Sequence, residues 1–248
     1  MKVGNYYAIR RVMVPSALAV LVGFGAPVQA ADYQETSIAT FYGWNNENFA
    51  GDDEFEQDVT TIEHFSSTSY GSNFFFFDIT NFTGNNPNSD GAEIYGEHTT
   101  AFSYNKLTGG DIGIGPLDDI SLAFQANVGG GADSRVGLVG PQFQFNVPGF
   151  NVFNIQTFWR NDFNAPDHTY QITLVWNSDF NIGGNRFVFE GYADWVPEGN
   201  GSDLGPFGEH RANSNGAPRL LLDVGNYWGE KNKLLVGTEV QYWVNKFG

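Results

Sequence analysis

From residue 234 onward, Leu234, Val236, Thr238, Val240, Tyr242 and Val244 share one parity, against Leu235, Gly237, Glu239, Gln241 and Trp243. Alternation with period two marks a β-strand with one apolar face. The pattern recurs along the chain. Tyr170, Ile172, Leu174 and Trp176 oppose Gln171, Thr173, Val175 and Asn177; Phe187, Phe189, Gly191, Ala193 and Trp195 oppose Arg186, Val188, Glu190, Tyr192 and Asp194; Leu220, Leu222 and Val224 oppose Arg219, Leu221 and Asp223. About eleven strands are expected, near 35–44, 58–68, 73–82, 92–104, 119–128, 135–146, 151–161, 168–180, 186–196, 217–228 and 233–246. Each runs to about ten residues, the length with which a tilted strand crosses a bilayer. Strands of soluble sandwiches are shorter, about five or six residues. The 23 Phe, 11 Tyr, 6 Trp and 31 Gly suit pleated surfaces and turns, and helical periodicity is hard to find after residue 31.

The first 30 residues read differently. Lys2, Arg10 and Arg11 head an apolar stretch from Val12 to about Pro27, followed by Val28, Gln29 and Ala30. A basic head, a short apolar middle and small residues at the exit describe a cleavable export signal, leaving residues 31–248 as one domain. Losing three basic groups and no acidic one takes the formal charge from -16 to -19. Such a chain will not seek nucleic acid. It has no cysteine and so no disulfides. No mature stretch reaches the roughly 18 apolar residues of a spanning helix. A membrane chain of this kind must be a closed antiparallel β-barrel, the alternative that satisfies every backbone group in lipid.

The connections carry a second pattern. The second, sixth, eighth and tenth, at 67–72, 146–150, 181–185 and 229–233, are short, whereas the first, third, seventh and ninth are longer and polar. Outer-membrane barrels have short periplasmic turns and long external loops. Two junctions depart from this: the fourth, 105–119, is long and the fifth, 129–134, is short. Trp44, Trp159, Trp176, Trp195, Tyr227 and Trp228 gather near strand ends, where aromatic girdles sit.

Several segments in shared order resemble the Tsx/OmpK-like family of nucleoside-specific channel-forming outer-membrane proteins. They are Tyr95-Gly96-Glu97, Asn105-Lys106-Leu107-Thr108-Gly109, Val147-Pro148-Gly149-Phe150, Tyr192-Ala193-Asp194-Trp195-Val196, Leu220-Leu221-Leu222-Asp223-Val224-Gly225, and the run from Glu239 to Gly248. The resemblance spans most of the chain after Phe41. It implies a twelve-stranded barrel in the outer membrane of a Gram-negative bacterium and a passive channel for nucleosides or similar small solutes. It also implies one strand beyond Gly248, so a chain ending there is expected to lack its final strand.

With lipid outside and water inside, the polar parity of each strand faces the lumen. That assigns Glu63, Asp78, Glu97, Arg160, Arg186, Glu190, Asp194, Arg219, Asp223 and Glu239 inward, since a basic group facing lipid at the midplane costs about 2–4 kcal/mol. The aromatics Phe74, Phe76, Phe158, Tyr192, Tyr227 and Trp243 share that parity. A nucleoside needs a flat face for its base and acceptors for its ribose hydroxyls, and rings with carboxylates supply both. Phe74, Phe76 and Asp78, in the stretch NFFFFDITNF, are the leading candidates, with Phe75 and Phe77 turned to lipid. The runner-up is a surface-recognition barrel, a phage or host receptor whose lumen stays largely closed. The acidic run 51–56 lacks the ligand spacing of a calcium loop, and His64, His98, His168 and His210 form no HExxH pair. Neither a metal, a cofactor nor an enzymatic activity is implied, and a single-chain monomer in lipid is expected.

Overall fold

The computed structural model describes residues 14–24, 31–47, 54–83, 92–129, 135–163, 168–198, 204–205, 208–209 and 212–244. The long strands are β1 (Val14–Phe24), β2 (Ala31–Glu47), β3 (Glu54–Thr68), β4 (Gly71–Thr83), β5 (Ala92–Ser103), β6 (Leu117–Gly129), β7 (Arg135–Phe145), β8 (Val152–Asp162), β9 (His168–Ile182) and β10 (Asn185–Val196). After them come the small hairpin β11 (Leu204–Gly205) with β12 (Gly208–Glu209), then β13 (Asn213–Gly216), β14 (Arg219–Asp223) and β15 (Leu234–Val244). Every neighbour from β1 to β10 pairs antiparallel. β13 and β14 form one stave split at Ala217-Pro218. Ala193 faces Gly216 and Glu190 faces Arg219, with no shift of register between them. Proline has no N–H to give the ladder, so one bond is missing at that point, while the Ala217 N–H still donates to the Tyr192 carbonyl and the Pro218 carbonyl accepts from the Val240 N–H. Counted this way the sheet has twelve staves, in an all-β barrel.

Burial is inverted relative to a water-soluble protein. Ser37, Thr61, Gln125, Asn127, Gln142, Gln156, Gln171, Thr173, Arg186, Asp223 and Glu239 are buried. On the opposite parity Ile38, Tyr42, Phe77, Phe102, Leu122, Phe124, Val139, Trp159, Ile172, Leu220 and Val240 are exposed. Polar inside and apolar outside makes sense only with hydrocarbon around the wall. Among the described residues no helix is long and apolar enough to cross a membrane.

The eleven strands expected after residue 31 are present, with ends displaced by a few residues. The tenth is the exception. The expected strand 217–228 begins four residues earlier, at Asn213, and ends at Asp223; Gly225–Trp228 is a 3-10 turn. The twelfth stave is β1, which lies within the segment read as an export signal. It pairs with β2 on one side and β15 on the other, and runs from the long-loop end towards the short-turn end. Cleavage after Ala30 would remove it from between those two edges.

The parity of the connections holds in part: the fourth stays long, and the tenth, expected short at 229–233, spans residues 224–233. Gly183 and Gly184, with φ of 58° and 84°, make a two-residue turn between β9 and β10. Both conformations lie in the left-handed region, which suits the twist of a tight hairpin. The long fourth junction carries α1 (Tyr104–Thr108), capped by the Ser103 side chain accepting from the Lys106 N–H. Lys106 Nζ donates to Ser67 Oγ and to the Thr68 carbonyl, both at 2.7 Å. This junction is therefore folded against the β3–β4 turn at the short-turn end.

Candidate functional site in the lumen

The inward parity places most of the expected residues where alternation put them, and groups them into three layers. The first surrounds Arg219. Its Nε donates to Glu239 Oε2 at 2.5 Å and its Nη1 to Glu63 Oε1 at 2.6 Å, with Glu190 Oε1 at 4.0 Å. The guanidinium lies 5.0 Å from the centre of the Phe41 ring. Glu190 and Glu239 are direct cross-strand partners of Arg219. Glu63 is on β3, with β15, β1 and β2 between it and β14 in the sheet. This ion pair is a chord across the lumen. Beside it an apolar cluster of Ala39, Phe41, Val59, Val188, Leu221 and Leu235 also joins β2 and β3 to the far wall. Glu239 is 4% and Thr61 1% exposed, so the lumen is constricted here.

The second layer is a checkerboard on β4 and β5. Asp78 pairs in register with Tyr95, and Phe76 with Glu97. Aromatic and carboxylate groups thus alternate both along and across the strands, at the close spacing of directly opposed residues. The Phe76 and Tyr95 rings are 6.0 Å apart. Thr61 Oγ1 donates to Asp78 Oδ1 at 2.6 Å, and Tyr95 Oη to Glu97 Oε1 at 2.5 Å. Gln125 and Asn127 side-chain amides also donate to Glu97, at 2.9 and 3.0 Å. Within electrostatic range of Glu97 are Arg160 and Asp194. They end a chain in which Arg160 donates to Gln171, Gln171 to Thr173, and Thr173 to Asp194. Tyr192 is on the same parity of β10 as Asp194.

The third layer closes the short-turn end. Asp223, wholly buried, accepts from Arg186 Nη1 at 2.5 Å and from the backbone N–H groups of Asn226 and Asn232, both at 3.1 Å. Arg186 also reaches Asn232 and Asp179. These two expected lumen residues face inward, but they hold the turn 224–233 together. Tyr227, expected on an inward strand face, lies on that turn instead. It is 56% exposed, and its hydroxyl donates to Asn185. The strand stops early because Asp223 gathers the N–H groups of the following residues into a turn, as Asp side chains do. Phe158 points inward yet is enclosed by Ala101, Ala123, Val136 and Leu138.

Phe74 is inward and still 39% exposed, as is Phe65 opposite it at 36%. Both lie near the β3–β4 turn. Phe75 and Phe77 take the outward parity, and Phe77 packs over Gly96, the one residue type that leaves room for its ring. The sequence reading omitted Tyr95, Thr61, Gln125, Asn127, Gln171 and Thr173. Tyr95 and Thr61 lie two residues from an inward acid, and Asn127 and Thr173 lie opposite one, which was the signal that marked them; Gln125 and Gln171 share only the inward parity. The acidic loop bearing Asp52 and Asp53, and His210, lie outside the described residues.

A barrel with an apolar outer wall and a polar, ion-paired lumen belongs to the class of outer-membrane channels. The comparisons agree. Residues 30–248 match the family described as nucleoside-specific channel-forming protein, Tsx, and the chain belongs to that family. It is 24% identical over 247 residues to outer membrane protein OmpK of Vibrio parahaemolyticus, covering 94% of this chain and 89% of that protein. The protein is accordingly an outer-membrane protein of Gram-negative type.

Proposed function

We propose that the lumen passes nucleosides or closely similar neutral solutes by facilitated diffusion. The observation that carries this reading is the checkerboard of Phe76, Tyr95, Asp78 and Glu97 on one wall. A base stacks on Phe76 or Tyr95 while its ribose hydroxyls donate to Asp78 or Glu97. Stacking contributes roughly 1–3 kcal/mol and tolerates any base. Arg160 and Asp194 on the other side of the path offer a donor and an acceptor to base edges. The Arg219 ion pairs form the narrow point, which a solute passes by exchanging its hydroxyls for their hydrogen bonds. Single-channel recording with added nucleoside tests the reading. Transient block at millimolar concentration is expected, weakened by Tyr95→Ala and by Asp78→Ala and untouched by Phe75→Ala. A pore indifferent to nucleosides refutes it.

A second reading, a surface receptor with a closed lumen, is favoured by the cross-lumen Arg219–Glu63 pair and the low exposure around it. Under it, excision of 199–211 abolishes phage or host attachment, and no conductance is seen. The cut must stop before Asn213, because β13 pairs with β10 and β15.

A further inference from the structure

Two open grooves, of about 600 and 390 Å³, run along the outward face of β6, β7 and β8 near the long-loop end. They share Gly137 and Phe163 and lie on either side of that ring. Phe163 is 65% exposed and rests on Gly137, where an added Cβ would come 3.3 Å from its edge. Small residues, Gly137 and Ala126, make the hollow. Phe124, Val128, Val139 and Trp159, all exposed, make its walls.

At the upper end is Arg135, also exposed, whose carbonyl accepts from the Phe163 N–H at 2.9 Å. The other described arginines turn inward: Arg160 holds Gln171, Arg186 holds Asp223, and Arg219 holds Glu63 and Glu239. Arg135 is thus the one arginine on the outer wall among the described residues. It stands on a chain whose net charge is -16, which elsewhere repels anions. Beside it, Asn161 and His168 hydrogen-bond each other at 3.0 Å and add polar groups at the same level. The pattern is paired apolar channels ending at an exposed cation at the long-loop end of the wall, the external end in outer-membrane barrels.

We propose that this face seats one outer-leaflet lipid, a phosphorylated glycolipid with several acyl chains. One chain lies on each side of Phe163, and a phosphate pairs with the Arg135 guanidinium, a geometry that fits phosphate oxygens bidentately. The lipid lies outside the solute path and is independent of what the lumen carries.

The test is native mass spectrometry of the barrel extracted from outer membranes in mild detergent, scored for retained phosphorylated glycolipid. Wild type retains one. Arg135→Gln lowers retention about tenfold, as expected for one charge-assisted contact, and Arg135→Lys keeps part of it. Ala126→Trp fills the larger groove and also lowers retention, whereas Ile172→Trp, on the same outer wall away from the grooves, does not. Heat-modifiable migration establishes that each variant is folded. Equal retention in Arg135→Gln and wild type overturns the proposal, as does equal loss in Ile172→Trp or retention of diacyl phospholipid in place of the glycolipid.

Discussion

Replacing Arg219 by methionine removes one charge, and with it the guanidinium over the Phe41 ring, while keeping an unbranched side chain. Three carboxylates, Glu63, Glu190 and Glu239, then face each other without their cation. Their side chains are 19%, 24% and 6% exposed, against 14% for Arg219. Breaking a buried ion pair by removing one partner costs about 3–5 kcal/mol. Glu63 and Glu190 keep some water, which screens the loss, so the lower end, about 3 kcal/mol, is expected. Equilibrium unfolding in lipid vesicles, followed by tryptophan fluorescence, measures it. Adding Glu239→Gln to Arg219→Met should recover part of the stability, because one unpaired charge is gone. In bilayers under a salt gradient, Arg219→Met should shift the reversal potential towards cation selectivity and raise conductance by opening the constriction. If stability and reversal potential are both unchanged, the cross-lumen ion pair is not what narrows the lumen.

Asp223→Ala leaves two turn N–H groups without their acceptor and takes the buried carboxylate from Arg186, which keeps Asp179 and Asn232; it should destabilise the barrel by about 3 kcal/mol in the same vesicle assay, with nucleoside block in surviving channels unaltered. Phe77→Arg places a cation on the lipid-facing parity at mid-strand and should cost about 2–4 kcal/mol of folding free energy in vesicles; Asp78→Asn, one residue on and facing inward, should cost less. Mass measurement of the exported protein should find a new N-terminus near Ala31; a chain retaining residues 14–24 would make β1 a permanent stave.

Strand positions were legible because the two faces of this wall meet different solvents. Phe75 and Phe77 could not share a face with Asp78, so the stretch NFFFFDITNF announced its register. The stretch 217–228 was not legible in the same way. Its alternation continues past Asp223 in residue type, while the chain there answers to local hydrogen bonds. Asp223 captures two N–H groups and Arg186, and that competition has no period. Tyr227 was displaced with it.

Parity along a strand is a local property, and the residues alone carried it: which groups meet lipid, which meet the lumen, and that the chain is a barrel. Who meets whom across the lumen is not local. Arg219 and Glu63 are 156 residues apart, and no spacing joins them. They meet because the sheet curls until β14 faces β3. Likewise the pairing of Asp78 with Tyr95 follows from the β4–β5 register, set by ladders and loops rather than by either side chain. Alternation divides residues between two solvents, and the closing of the sheet then chooses partners among those it has turned inward.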